Sequence, residues 1–142
     1  MKKDQTVTIL LIITAVAASL TVCVIMQNWT EITTGSDHRL VDMANNINKN
    51  LPAIIDRETQ LVTTSAGEKN SFIYTFKLTN FKKSDIDIAK LEAALKPNIL
   101  NNYKNSNEMQ LFRELRINLK CDYLDMDNTF ITEISVSPKD FK

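Results

Sequence analysis

The chain is short of the residues that carry most catalytic and metal chemistry. It has one histidine, two cysteines and one tryptophan among 142 residues. Zinc sites draw on clustered His and Cys, and a lone His38 supplies no cluster. A Ser-His-Asp arrangement would have to use that same histidine, and no G-x-S-x-G elbow exists. His38 therefore reads as a surface residue at the start of a helix. Cys23 falls in an apolar run and Cys121 in a predicted strand, so the soluble part is expected to fold without a disulfide. Cys121 reads as a small buried hydrophobe. Two glycines and three prolines leave no Gly-rich phosphate loop and no Gly-dependent tight hairpins. Charge of one sign is also missing: 17 basic residues balance 17 acidic ones. No basic stripe exists to track a phosphate backbone, which argues against nucleic-acid binding.

What is present begins with an uncharged run, Val7 to Met26, separated from Lys2 and Lys3 only by Asp4, Gln5 and Thr6. As a helix, about 20 residues span roughly 30 Å, the thickness of a bilayer's hydrocarbon core. The paired lysines put the N-terminus in the cytoplasm and the rest of the chain outside it, with Trp29 at headgroup level. The run reads as an uncleaved signal-anchor. An A-x-A-like site at Ala15-Val16-Ala17 is followed by further apolar sequence, which does not suit cleavage. A lipobox ending at Cys23 would want a small residue where Val22 stands. Thr14 with Ala18, Ala15 with Ser19, and Ala17 with Thr21 offer a small-xxx-small face for helix pairing. Asn28-Trp29-Thr30 has the form of a glycosylation sequon, but it lies close to the membrane and the composition looks bacterial. The expected organisation is a cytoplasmic N-terminus (1–6), a transmembrane segment (7–26), a linker (27–35) and one extracytoplasmic domain (36–142).

That domain is predicted to be α+β. Ser36 starts a helix to about Asn50, with Leu40, Val41, Ala44, Ile47 and Leu51 on one stripe. Pro52 ends it or forces an extended link. Thr59–Thr64 and Ser71–Thr79 make a hairpin, and Phe72, Tyr74, Phe76 and Leu78 alternate with Ile73, Thr75, Lys77 and Thr79. Ser84 caps a helix from Asp85 to Lys96, with Asp85 and Asp87 in its first turn. Pro97 begins a further helical turn, Asn101–Asn107 is a loop, and a short helix runs through Leu111, Phe112 and Leu115. Arg116–Tyr123 and Thr129–Val136 form a second hairpin, turned by Asp125-Met126-Asp127-Asn128. In the last strand Phe130, Thr132, Ile134 and Val136 share one face, opposite Ile131, Glu133 and Ser135. The economical fold is a four-stranded antiparallel sheet of two hairpins, with helices packed on one face.

Two constellations have some chemical form. Asp122, Asp125, Asp127 and Asn128 have the oxygen spacing of a calcium loop, but the sixth position from Asp125 is Phe130 where an EF-hand needs glycine. A hairpin turn built on Asp and Asn side chains explains them better. Asp85 and Asp87 are two apart on a helix and do not face each other. No cofactor and no metal is expected.

The soluble part resembles small, uncharacterised, membrane-anchored periplasmic proteins of Gram-negative bacteria. The residues that carry this are Leu51-Pro52 with Ile55-Asp56, Thr59 and Leu61, Tyr74-Thr75-Phe76, and Cys121-Asp122-Tyr123 before Asp125. The resemblance spans about Leu51 to Pro138 and implies an α+β envelope domain with no known activity. Two function classes follow. The favoured one is a non-catalytic binding or assembly module at the bacterial inner membrane. Its protein partner, or a second copy, would meet the polar sheet face at Lys77, Asn118, Lys120, Ile131 and Glu133, or the edge of the last strand. A minor subunit of a secretion or transport complex is a variant of that reading. The other class is a small envelope enzyme or ligand-binding domain, whose polar candidates would be Tyr74, Tyr123, Asp122 and Lys120.

Overall fold

The computed structural model describes residues 36–141, and its centre is the most strand-like segment of the sequence. β3 (Ser71–Leu78) alternates from Phe72 onward, with Phe72, Tyr74, Phe76 and Leu78 buried and Ile73, Thr75 and Lys77 half-buried. A strand with neighbours on both sides gains most from aromatic and β-branched side chains. β2 (Thr59–Gly67) and β4 (Asn118–Leu124) flank it, and β1 (Ala53–Ile54) and β5 (Phe130–Val136) form the edges. The sheet therefore has five strands in the order β1-β2-β3-β4-β5.

Two features of the expected sheet are corrected. β1 is a fifth strand, pairing Ala53 with Leu61 and Ile54 with Gln60; two residues are too few to show an alternation. The inner strands β3 and β4 run parallel, Ser71 opposite Asn118 and Phe76 opposite Tyr123. Two antiparallel hairpins are thus joined side by side through a parallel pair, and the sheet is mixed. A parallel pair needs a long crossover, and helices supply it here. Between β3 and β4 the chain forms α2 (Ile88–Asn105) and α3 (Gln110–Glu114).

α1 (Ser36–Asn48) buries Leu40, Met43, Ala44 and Ile47, while Val41, expected on the stripe, is 45% exposed. The end of α1 is tied to the sheet by one amide: Thr64 N donates to Asn48 Oδ1, and Asn48 Nδ2 donates to the Thr64 carbonyl, both at 2.8 Å. The side chain thus acts like a peptide group of a neighbouring strand, just past the irregularity between Leu61 and Thr63.

α2 is one helix where a break at Pro97 and a loop from Asn101 were expected. Pro97 and Ala93, whose carbonyl loses its partner, are both exposed, so the lost bond lies on the solvent side of the helix. The buried stripe Leu91, Leu95, Ile99, Tyr103 runs unbroken beneath it. Asp87, not Ser84, is the N-cap, accepting from Lys90 N at 3.2 Å; Ser84 sits in a preceding 3-10 turn with Asp85. Beyond α2, Tyr103 Oη donates to the Ile117 carbonyl at 2.7 Å, with the Phe112 carbonyl 3.1 Å away, and Arg113 Nη1 donates to the carbonyls of Tyr103 and Ser106. These bonds lock the turn through α3 back into the sheet.

The strand register puts Leu61 and Thr64, Phe72 to Leu78, Leu119 to Tyr123, and Thr132 to Val136 on a common buried face by alternate residues. α1 meets that face at Thr64, whose hydroxyl donates to the Ala44 carbonyl. α2 meets it at Thr132, whose hydroxyl donates to Glu92. Both helices thus cover one face of the sheet, as expected. The tight β2–β3 turn uses Lys69 (φ 54°) and Asn70 (φ 55°) in the left-handed region instead of glycine. Gly67 is needed beside it, because a Cβ there would overlap Ser71 Oγ. Among the described residues no helix is long and apolar enough to cross a membrane. The run Val7–Met26, Cys23, the sequon Asn28–Thr30 and the whole linker (27–35) lie outside them.

Candidate partner surface and sheet–helix cavity

The helix-free face of the sheet is built by the half-buried or exposed alternate residues of four strands. Register sets them in rows: Gln60, Lys77 and Leu124; then Thr75, Asp122 and Glu133; then Ile73, Lys120 and Ser135. Lys120 Nζ lies 3.2 Å from Glu133 Oε1, a diagonal ion pair on the sheet surface. Asp122 stands directly opposite Glu133. Its carboxyl is pushed up from the ordinary range by burial first, then by the Glu133 charge. Two like charges across a strand pair oppose each other, and Asp122 Oδ1 has no protein partner. Asn118 is on the same face at its end, with Nδ2 donating to the Lys69 carbonyl at 3.0 Å. Beside it, Lys69, Ile73, Asn118, Lys120 and Ser135 line a shallow groove of about 470 Å³.

Four of the five residues expected on this face are there: Lys77, Asn118, Lys120 and Glu133. Ile131 is not; it is 4% exposed and belongs to the core. The reason is a bulge. Tyr123 pairs with Thr132 but Leu124 pairs with Phe130, so Ile131 is the extra residue. The bulge reverses the alternation, burying Ile131 and leaving Phe130 49% exposed. β5 is an edge strand, as expected, and this bulge interrupts its outer rim.

The residues that a catalytic reading would need do not converge. Tyr74 and Tyr123 are buried on the helix-covered face, whereas Lys120 and Asp122 are half-buried on the opposite one. Neighbours along one strand cannot share a face. Burial raises the Tyr74 hydroxyl, and the charges of Cys121 and Glu108 add to it. Burial also pushes the Cys121 thiol up to about 12, which makes it a poor nucleophile.

The acidic turn is structural. Asp125 is buried and accepts from the backbone N–H groups of Lys83, Asp127 and Thr129 at 2.8–2.9 Å. These bonds, that of Lys83 first, hold its carboxyl below the usual range. Asp127 instead faces Lys82 at 3.9 Å. Asp122 sits on the sheet, so the three acids point to separate tasks. Among the described residues no group of three or more His, Cys, Asp or Glu is placed to hold a metal ion. His38 is exposed on α1.

Sequence reasoning missed a cavity of about 40 Å³ between α2 and the buried sheet face. Its floor is Tyr74, Phe76, Leu119, Cys121 and Tyr123, and its roof is Leu95, Asn98, Ile99 and Asn102. Ile55, Thr59 and Met109 close its ends. The residues lie far apart in sequence, and no local pattern marks them.

No family model matches the sequence, and no curated protein does. Two solved structures share the fold. A candidate secreted protein of Pseudomonas aeruginosa aligns with a TM-score of 0.56 at 9% identity, over 76% of this chain and 97% of its own. EpsS, the pilotin of the type 2 secretion system of Vibrio vulnificus, aligns with a TM-score of 0.57 at 11% identity, over 75% of this chain and 92% of its own. At such identity the likeness is one of fold.

Proposed function

We propose that this chain is a non-catalytic binding or assembly module of the Gram-negative cell envelope. In this reading Val7–Met26 anchors it in the inner membrane and the α+β domain lies in the periplasm. The partner is a protein, and it docks on the helix-free sheet face around Lys77, Asn118, Lys120 and Glu133. The observation that carries the reading is that face itself. It is a four-strand platform of mostly polar and charged side chains, with α1 and α2 on the other side. The dispersal of Tyr74, Tyr123, Asp122 and Lys120 over two faces supports a role without catalysis. The pilotin fold of EpsS supports a narrower variant, a minor subunit of a secretion or transport complex.

The test is a mild-detergent pull-down of the full-length chain from its native membrane, read by mass spectrometry, for wild type and a Lys77→Glu/Lys120→Glu double variant. A stoichiometric partner lost from the variant supports the proposal. A chain recovered alone in both cases, or a partner retained undiminished by the variant, rejects docking on this face.

A further inference from the structure

The cavity under α2 has a chemical character that the proposed partner surface does not use. Its walls are carbon: Phe76, Leu95, Ile99, Met109 and Leu119. Two unpartnered hydroxyls interrupt them, beside the Tyr123 hydroxyl and the Cys121 thiol. Tyr74 and Thr59 are 5% and 1% exposed, both line the cavity, and neither Tyr74 Oη nor Thr59 Oγ1 has a hydrogen-bond partner. A buried hydroxyl without a partner is costly, and most are satisfied by protein or by a bound molecule. Asn98 and Asn102, both partly exposed, stand at the solvent side. Asn98 donates Nδ2 to the Ala94 carbonyl, which leaves its oxygen free to accept.

The lining contains no Lys, Arg, His, Asp or Glu. A carboxylate entering it would be desolvated without a counter-charge, and that is strongly unfavourable. A pure hydrocarbon would leave both hydroxyls unpaired. The volume exceeds the roughly 10–15 Å³ that one water needs, and the partly open side lets a longer ligand extend outward. We infer that this cavity binds the polar end of an uncharged, unbranched amphiphile, such as an aliphatic alcohol, with its hydroxyl paired to Tyr74 or Thr59 and its chain along Leu95 and Ile99. The site lies on the opposite side of the sheet from the partner surface, so it stands or falls independently of that reading.

The test uses the full-length chain in lipid nanodiscs, with ¹³C-labelled Ile, Leu and Met methyls. It is titrated separately with 1-butanol, 1-chlorobutane and butyrate at pH 7. Butanol is expected to give saturable shifts, on the order of millimolar as small ligands allow. They are confined to Ile55, Leu95, Ile99, Met109 and Leu119, with Leu40 and Ile47 of α1 unmoved. Butyrate should bind at least about tenfold more weakly. Tyr74→Phe, which removes only an unpartnered hydroxyl, should cost butanol roughly fivefold to tenfold and leave chlorobutane unchanged; Thr59→Val repeats the comparison at the other hydroxyl. Absence of saturable shifts at the lining methyls overturns the inference, because water alone then occupies the cavity. Equal affinity for chlorobutane and butanol, or for butyrate and butanol, overturns it as well.

Discussion

Replacing Tyr103 by phenylalanine tests the packing account at one atom. The ring is fully buried and stacks on Phe141 with centroids 5.3 Å apart, a contact that phenylalanine keeps. What is lost is Oη, 2.7 Å from the Ile117 carbonyl and 3.1 Å from that of Phe112. The Phe112 carbonyl retains Ile117 N at 2.9 Å, so the Ile117 carbonyl bears the main loss. Leaving one buried acceptor unpaired costs about 1–3 kcal/mol. At about 4 °C per kcal/mol for a domain near 100 residues, the melting temperature should fall by roughly 4–12 °C. The assay is urea and thermal unfolding of the full-length chain in a mild detergent, followed by far-UV circular dichroism. The midpoint should fall with an unchanged denaturant slope. A loss under about 0.5 kcal/mol would refute the claim that this hydroxyl holds the α2–α3 turn to β4.

Other expectations follow from the same structure. Asn48→Ala removes the amide that pairs with both Thr64 backbone groups and should destabilise by about 1–3 kcal/mol, read by the same melts. Asp125 has its carboxyl lowered by the Lys83, Thr129 and Asp127 amides. Its stabilisation is present above the ordinary carboxylate range and lost as pH falls through the lowered value, so Asp125→Ala should flatten the acid side of the stability profile. Asp122 is shifted the other way, by burial and then Glu133. Its charge opposes folding at neutral pH, and Asp122→Asn should therefore raise the melting temperature at pH 7 and lose that advantage near pH 4. Cys121, buried and raised to about 12, should resist thiol reagents at pH 8 in the folded protein and react on unfolding; rapid labelling of the native chain at Cys121 would contradict its placement.

Much of this fold was legible because burial leaves a period. β3 and β4 alternate along their length, and Ile117, Leu119, Cys121 and Tyr123 are buried as their spacing predicts. The joining of the hairpins was not legible, since a period of two is identical in parallel and antiparallel pairs. One inserted residue at Ile131 inverted the faces of Ile131 and Phe130, and a bulge has no signal in hydropathy. Pro97 misled because propensity is local, while the stripe from Leu91 to Tyr103 is held by the sheet. For the surface, alternation was enough to bring Lys77, Asn118, Lys120 and Glu133 together. The cavity depends on how α2 rides over Tyr74 and Cys121, and on a Thr59 hydroxyl from another strand. Such packing across distant segments is invisible before the chain is folded.

The central claim is that the helix-free face receives a protein partner. Site-specific photo-crosslinking in native membranes addresses it directly, with a photoreactive residue at Lys77, at Lys120, or at Lys96 on the exposed side of α2. Discrete adducts of one mass from positions 77 and 120, and none from position 96, are predicted. No adduct from the sheet positions, or the same adduct from all three, would contradict it.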